Sequence, residues 1–501
     1  MMIYSEQLPI LLVILPLFAA ILISVIGVFQ TRYCYPVAVC ALIGSLYAAA
    51  GVLMQVLENG VIHYQLGGWP PPFGIEYVID HLNAMVLLII ASVGLIAVIF
   101  SKESVKQEME DKIPQFYTLY VLLVTGLLGM TITGDAFNLY VLLEISALTT
   151  YALIALGEDR ALLSSFVYVI MGTLGACFYL LGVGHLYIMT GSLNMSDLLT
   201  ILPNLYTSDA VLVAFILIMI GIWIKMAFFP LHGWLPNAYT YAPSATSCLI
   251  APLMTKVSVY IMIRIMFSTF STDFVFKAYT AQNLIVWMAV AAIVGGSILA
   301  LAQKDFKKML TYLIVAEVGY MVGGIWLANR HGITGAILHI ANDAMMTLCL
   351  FLVAGIIVYK TKGHHLDDMK GLYKKMPITM AAFTVGALSM IGVPPTAGFF
   401  SKWYLILGAI DAGQWGFMAA LLFSSLVNAI LFFRVIEIAY FEPMSDHHAD
   451  GHHGVPAMAI DEAPFSMLAP LVIVSLSLIV LGIYAGDIVT NIIQFAVPIG
   501  I

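Results

Sequence analysis

Charge is scarce in this chain: of 501 residues only 10% are Asp, Glu, Lys or Arg, against about 25% in ordinary soluble domains. So little polar surface cannot cover the core of a soluble protein this long, which excludes the soluble globular classes. Cysteine is scarce too. Cys34, Cys40, Cys177, Cys248 and Cys349 are scattered over apolar stretches without metal-ligand spacing, so they read as small hydrophobic residues rather than a disulfide or metal framework. The chain has no cysteine cluster, glycine-rich dinucleotide fingerprint or haem signature, so it is expected to hold no cofactor and to carry no electrons itself. No nucleic-acid partner is expected. Residues 1–7 hold no basic cluster, and the apolar run from Leu8 is long enough to span, so it reads as a first helix rather than a cleavable signal.

Hydrophobicity is what the chain has in excess: 62% of residues, with a mean hydropathy of +1.00. A spanning helix needs about 20 mainly apolar residues. Such windows predict an all-α integral membrane protein of about fourteen transmembrane helices, at 8–28, 33–57, 82–101, 115–133, 136–157, 163–190, 210–240, 245–270, 283–303, 308–327, 332–359, 378–412, 415–441 and 466–495. They form one membrane domain over residues 1–501. If both termini face outward, the inward loops hold 13 of the 20 basic residues, among them Arg160, Lys307 and Lys362, and the outward loops hold only Lys277 and Arg330. By the positive-inside rule this bias fixes the orientation and favours an even helix count. Segment 58–80 has turn chemistry and a few β-formers, which predicts a small surface hairpin. The inward segment 445–454, with His447, His448, His452 and His453, reads as a solvated linker, with metal binding as the alternative.

Five basic residues fall inside the predicted spans: Lys225, Lys256, Arg264, Lys402 and Arg434. Arg264 and Arg434 lie near helix ends, where a long side chain can snorkel to the interface. Lys225, Lys256 and Lys402 sit deeper, as do Glu144, Glu317, His339 and Asp343. An ionisable group inside a bilayer costs at least about 2.5–3.5 kcal/mol, so it should be paired, hydrated, neutral or functional. Burial disfavours the charged form of lysine and glutamate alike, and a nearby opposite charge restores it. A Glu–Lys contact that opens and closes is therefore a proton switch; an ion pair that merely pins two helices is the alternative. Three buried lysines together favour transport.

Helix breaks give a second signal, because discontinuous helices at membrane depth are tolerated only where they line a buried or watery cavity. One is predicted from Lys225 to Pro236, through Pro230, His232 and Gly233, and another from Gly392 to Lys402, through Pro394 and Pro395. Each has a lysine within about two helical turns.

At these residues the sequence resembles the antiporter-like subunits shared by Mrp-type sodium/proton antiporters, respiratory complex I and membrane-bound hydrogenases, and most closely the D-type branch of the Mrp antiporter subunits. The resemblance runs over nearly the whole chain. It is carried by Gly134-Asp-Ala-Phe-Asn-Leu-Tyr-Val-Leu-Leu-Glu144, Pro230-Leu-His-Gly-Trp-Leu-Pro-Asn-Ala238, Ala242-Pro-Ser, Gly371-Leu and Gly392-Val-Pro-Pro-Thr-Ala-Gly-Phe-Phe-Ser-Lys-Trp403. It implies two inverted five-helix repeats, about 115–270 and about 283–441, with residues 1–114 and 466–501 as peripheral helices and two broken helices. It also implies a proton relay: Glu144 as carboxylate partner, Lys225 as its switch, Lys256 as central relay, His339 as link and Lys402 as terminal exchange residue, with His232, Asp343 and Glu317 as further candidates.

Several positions depart from the family pattern. Asn237 stands where an acid is common and Tyr239 where a histidine is common; Asp343 replaces a frequent histidine and Thr347 a frequent lysine. His339 and Asp343 are spaced i, i+4, so a charge pair between them is expected, with a satisfied core histidine as the alternative. Glu317 precedes Lys402 by 85 positions much as Glu144 precedes Lys225 by 81, which suggests that Glu317 partners the second-half lysines and compensates for Thr347.

The leading functional expectation is a proton-translocating subunit of a multisubunit Na⁺/H⁺ antiporter in a bacterial or archaeal cell membrane, with partner membrane subunits, the lipid bilayer, H⁺ and Na⁺ as its associates. On this expectation it is a transporter component rather than an enzyme. The alternative is the proton-pumping membrane arm of a complex I-like or hydrogenase redox complex, under which it would be part of an ion-translocating oxidoreductase. A packing protein that conducts nothing is a third reading, which the buried lysines argue against.

Overall fold

The computed structural model describes residues 6–278, 281–443 and 461–498, so the histidine-bearing stretch 447–453 lies outside the described residues. The chain begins with α1 (Leu8–Phe29) and α2 (Cys34–Asn59), followed by an antiparallel hairpin of β1 (Ile62–Gln65) and β2 (Glu76–Ile79) in the register Ile62↔Ile79. That hairpin stands where the turn chemistry of segment 58–80 predicts one. Next come α3 (His81–Glu108), α4 (Ile113–Ile132), α5 (Ala136–Ala155), α6 (Ala161–Thr190) and a short α7 (Met195–Ile201). A broken crossing, α8 (Asp209–Lys225) and α9 (Leu235–Tyr241), leads into α10 (Ser244–Ser268).

The second half repeats the plan with α11 (Gln282–Leu301), α12 (Phe306–Trp326) and α13 (Arg330–Thr361). Another broken crossing, α14 (Pro377–Ile391) and α15 (Ala397–Asp411), precedes α16 (Trp415–Phe441) and the last long helix, α17 (Phe465–Ile483). Among the described residues twelve helices are long and apolar enough to cross a membrane. With the two broken crossings this gives the fourteen passes expected from hydropathy. In each half the broken crossing is the fourth of five, and the two runs start from opposite faces because the passes alternate.

Polar caps set where the helices begin. Asp80, Asp135, Asp305 and Asn329 each accept a backbone N–H in the first turn of the helix that follows, satisfying donors that lipid cannot. Helices α10 and α13 are buried over their whole apolar windows and α12 over 94%, whereas α1 and α2 are buried over only 33%. The bundle is therefore built around α10, α12 and α13. Helix α3 lies deeper than its place near the start of the chain suggests, since it packs against α10, α13 and α17.

Apolar matching does not hold helices together in lipid, so close backbone approach matters. Helices α6 and α8 meet through Gly175 and Gly221. A methyl group added at Gly221 would lie 2.6 Å from the Gly175 carbonyl oxygen and 2.7 Å from the Tyr179 backbone nitrogen.

Arg264 does not snorkel. It is buried, donating to Asp80 at 2.7 Å, to the Tyr260 hydroxyl at 3.1 Å and to Ser268 at 3.1 Å, because Asp80 at the start of α3 offers a carboxylate at the same depth. Burial alone would push the Asp80 carboxyl up, but the Arg264 guanidinium and the Leu82 and Asn83 backbone N–H groups outweigh it and hold it below the ordinary range. Arg434, on α16, is exposed.

Gly221→Ala is expected to force α6 and α8 apart and cost about 1–3 kcal/mol. The check is the thermal midpoint of the detergent-solubilised protein, followed by fluorescence-detected size exclusion; a midpoint equal to wild type would mean that the two backbones can separate freely.

Candidate functional site

A helix that stops in mid-membrane leaves its last carbonyls without partners. The chain solves this twice. In the first half α8 ends at Lys225, and the indole Nε1 of Trp234, beyond the break, donates to the Ile224 carbonyl at 3.0 Å. In the second half Gly392 turns the chain out of α14 with φ +93°, a conformation that favours glycine, and the Lys402 ammonium donates to the carbonyls of Met390 at 2.7 Å and Ile391 at 3.4 Å. Each break thus places a lysine beside the negative end of a half-helix.

Lys225 Nζ lies 3.3 Å from Glu144 Oε1, the partner expected from the sequence. The carboxylate is in mid-helix on α5 and its side chain is 25% exposed, at the surface of the bundle, while Lys225 is buried. Lys256 stands twelve residues from either end of α10, about 18 Å at the helical rise, and is 1% exposed. Its ammonium is 2.8 Å from Asp343 Oδ2 on α13, 3.2 Å from the Ala251 carbonyl and 3.5 Å from the Thr347 hydroxyl. The Thr347 hydroxyl donates to Asp343 Oδ1 at 2.8 Å.

His339 and Asp343 do not pair with each other. Each turns to a different helix: Asp343 to Lys256, and His339 Nε2 to Glu317 Oε2 on α12 at 2.5 Å, with Nδ1 2.9 Å from the Ser401 hydroxyl. A shared face on one helix is outweighed by stronger partners on the helices packed against it. Glu317 therefore meets His339 rather than a lysine, and reaches the Lys402 region through His339, Ser401 and Tyr320. The Tyr320 ring lies 5.4 Å from His339, and the Lys402 ammonium sits 5.2 Å from the same ring. His232, in the first break, is half-buried and stacked on Phe229, with no hydrogen bond or ion pair to the other candidates.

The candidates form three contacts between helices: Glu144–Lys225, Lys256–Asp343 and, one turn along α13, His339–Glu317, with Lys402 on the far side of the Tyr320 ring. Sequence reasoning misses the Lys256–Asp343 link across the two halves and the parts of Thr347, Ser401 and Tyr320. Charge counting is the signal that could have found the link, since the predicted spans hold three deep carboxylates and three deep lysines, which leaves Asp343 with Lys256 once Glu144 and Glu317 are matched with Lys225 and Lys402. It also misses Lys307, which counts with the loops by position: its side chain is buried at the start of α12 and donates to the Ala242 carbonyl at 2.8 Å.

Residues 133–428, more than half of the chain, match the family described as NADH:quinone oxidoreductase/Mrp antiporter, TM. The chain belongs to this family. The match spans both broken crossings and all eight candidate residues. A relative from Desulforudis audaxviator, named as the N subunit of an NADH-quinone oxidoreductase, is 44% identical over 498 residues, 99% of both chains. One from Alkalihalophilus pseudofirmus, named as the D subunit of a Na(+)/H(+) antiporter, is 34% identical over 370 residues, 74% of both. Among solved structures, a chain of the archaeal membrane-bound sulfane sulfur reductase complex is 29% identical, with a TM-score of 0.89 over 98% of this chain and 97% of that one.

As a multi-pass member of this family, the chain should depend on the Lys256–Asp343 link for its fold as well as its chemistry. Lys256→Met alone strands a buried carboxylate and is expected to cost about 3–5 kcal/mol, whereas Lys256→Met with Asp343→Leu should recover most of that stability. Thermal midpoints of the three solubilised proteins test this; a double variant no more stable than the single one would show that the two side chains do not act as a pair.

Proposed function

We propose that the chain is a proton-translocating subunit of a multisubunit Na⁺/H⁺ antiporter, moving protons along Glu144, Lys225, Lys256, Asp343, His339, Glu317 and Lys402. The observation that carries this reading is the set of three ionisable contacts inside the apolar bundle, each made between different helices. Opening the Glu144–Lys225 contact withdraws the charge that favours the ammonium, which then gives its proton to the next site. The proton passes to the Lys256–Asp343 pair and raises the tendency of His339–Glu317 and Lys402 to release theirs. The likeness to the Na(+)/H(+) antiporter relative supports this choice. His232 takes a peripheral part at most in this scheme.

We assign the lysine-rich face to the inside of a bacterial or archaeal cell membrane and both termini to the outside, on the 13-to-2 distribution of basic residues. The runs from about 115 to 270 and from about 283 to 441 act as inverted repeats of one membrane domain, an arrangement supported by the broken fourth crossing in each. Partner membrane subunits cover the exposed edge of Glu144. An ionisable group facing lipid at that depth, between exposed Val141 and Leu148, is otherwise costly.

A second reading is favoured by a specific observation: the relative at 44% identity over nearly the full length is named for an NADH-quinone oxidoreductase. On that reading the same residues pump protons within a redox-driven complex, with electron carriers in other subunits.

In everted vesicles carrying the assembled complex, Lys225→Ala and Lys402→Ala are each expected to abolish Na⁺-dependent collapse of an imposed pH gradient. Wild-type exchange in both variants would sink the proton-relay reading. Acidification that requires an electron donor and ignores Na⁺ would instead select the redox-driven reading.

A further inference from the structure

A cavity of about 860 Å³ opens on the lysine-rich face, lined by Glu108 at the end of α3, Glu158 and Arg160 between α5 and α6, Lys307, His364 and the hinge that joins α9 to α10. Two charged groups from two helices hold that hinge. Glu108 accepts the Ser244 backbone N–H at 3.0 Å and the Ser104 hydroxyl at 2.9 Å, and Lys307 donates to the Ala242 carbonyl. The cavity floor is thus fixed from both sides.

Beneath the floor stands a column of aromatic side chains. Thr240 and Tyr241 line the cavity, and their neighbour Tyr239 is fully buried. The Tyr239 ring meets Trp234 edge-on at 6.1 Å, Trp234 stacks on Tyr168 at 3.8 Å, and Tyr168 meets Tyr151 edge-on at 4.7 Å. Tyr151 lies on α5, seven residues from Glu144, and Trp234 is bonded to the residue preceding Lys225. The hydroxyl oxygens of Tyr151, Tyr168 and Tyr239 are buried and make no hydrogen bond to the described residues. A buried phenol ordinarily finds a partner, because leaving it unpaired costs about 1–3 kcal/mol. Three such hydroxyls in one column between a water-accessible cavity and an ion pair point to a function other than packing.

We propose that this cavity is the proton-loading port of the first half, and that Tyr239, Tyr168 and Tyr151 pass protons from it to the Glu144–Lys225 pair; the proposal rests on the proton-relay reading above. The three hydroxyls make no bond to one another, so water drawn from the cavity completes the wire. At each step a hydroxyl oxygen accepts a proton from the water above and releases its own to the water below, so every phenol ends as it began and one proton arrives at Glu144. Glu108 and Lys307 are positioning residues that keep the hinge, and with it the mouth of the wire, in place.

The test uses the assembled complex in everted vesicles, with proton movement followed by a pH-sensitive dye. Tyr151→Phe, Tyr168→Phe and Tyr239→Phe together keep every ring and remove only the hydroxyls, so packing is preserved. The triple variant is expected to slow proton movement by at least about tenfold with a thermal midpoint no lower than wild type. A wild-type rate would overturn the proposal, while loss of transport in Lys225→Ala under the same conditions would leave the relay reading standing. The port is tested separately by Glu158→Cys, since none of the five native cysteines lines the cavity. A membrane-impermeant trimethylammonium thiosulfonate should label it from the lysine-rich face and slow transport to a similar degree. Failure to label, or labelling without effect, would show that protons do not enter there.

Discussion

The ion pair between Lys256 and Asp343 is the constraint around which the rest is arranged. It lies near the middle of the two helices that are buried over their full apolar length, α10 and α13, and among the described residues it is the ion pair that ties the first half of the chain to the second. Neither charge is tolerable there alone. The desolvation of two ions is repaid only when their geometry is good and their remaining valences are satisfied, and here the Thr347 hydroxyl and the Ala251 carbonyl supply those contacts.

The two breaks solve one problem with different residues. Where α8 stops, a neutral indole joins the Ala227 backbone N–H on the Ile224 carbonyl, and Lys225 is left free to engage Glu144. Where α14 stops, the lysine itself takes the carbonyls, and no carboxylate lies within ion-pair distance of Lys402 among the described residues. The ammonium at the first break is held by a full charge and the one at the second by helix-end dipoles. The first therefore responds to the protonation of one acid, and the second to the whole field of the His339–Glu317 pair beside it.

Much of this is legible in the sequence, and the parts that are not share a cause. Hydropathy locates the crossings to within a few residues because lipid punishes any polar backbone left unpaired, and the Pro and Gly clusters mark both breaks for the same reason. The Glu144–Lys225 contact is legible because each residue is isolated in an apolar stretch. Spacing along a helix, however, tells only which residues share a face, not which neighbouring helix that face meets. Hence His339 and Asp343 look like partners and are not, Arg264 looks like an interfacial snorkeller and is bonded to Asp80, and Lys307 looks like loop charge and is buried. The phenol column is invisible because tyrosines in apolar runs are ordinarily membrane-interface or packing residues, and nothing in their spacing links α5, α6 and α9.

The charge count gives the proposed relay its directionality. Glu144, Asp343 and Glu317 balance Lys225, Lys256 and Lys402, so the set is near neutral when His339 carries no charge, and any proton gained or lost leaves an uncompensated unit charge among groups with little water to screen it. Neighbours at i, i+4 such as His339 and Asp343 are about 6 Å apart at Cβ, where an effective dielectric of 20 gives roughly 3 kcal/mol between unit charges. On the relay proposed above, a proton that arrives at Glu144 does not need to travel the whole way to be felt at Lys402. Each pair need only bias its neighbour, and the bias then moves from contact to contact while individual protons make short hops. This requires the pairs to lie between helices, where a small relative movement opens a contact, and Glu144–Lys225, Lys256–Asp343 and His339–Glu317 all do so.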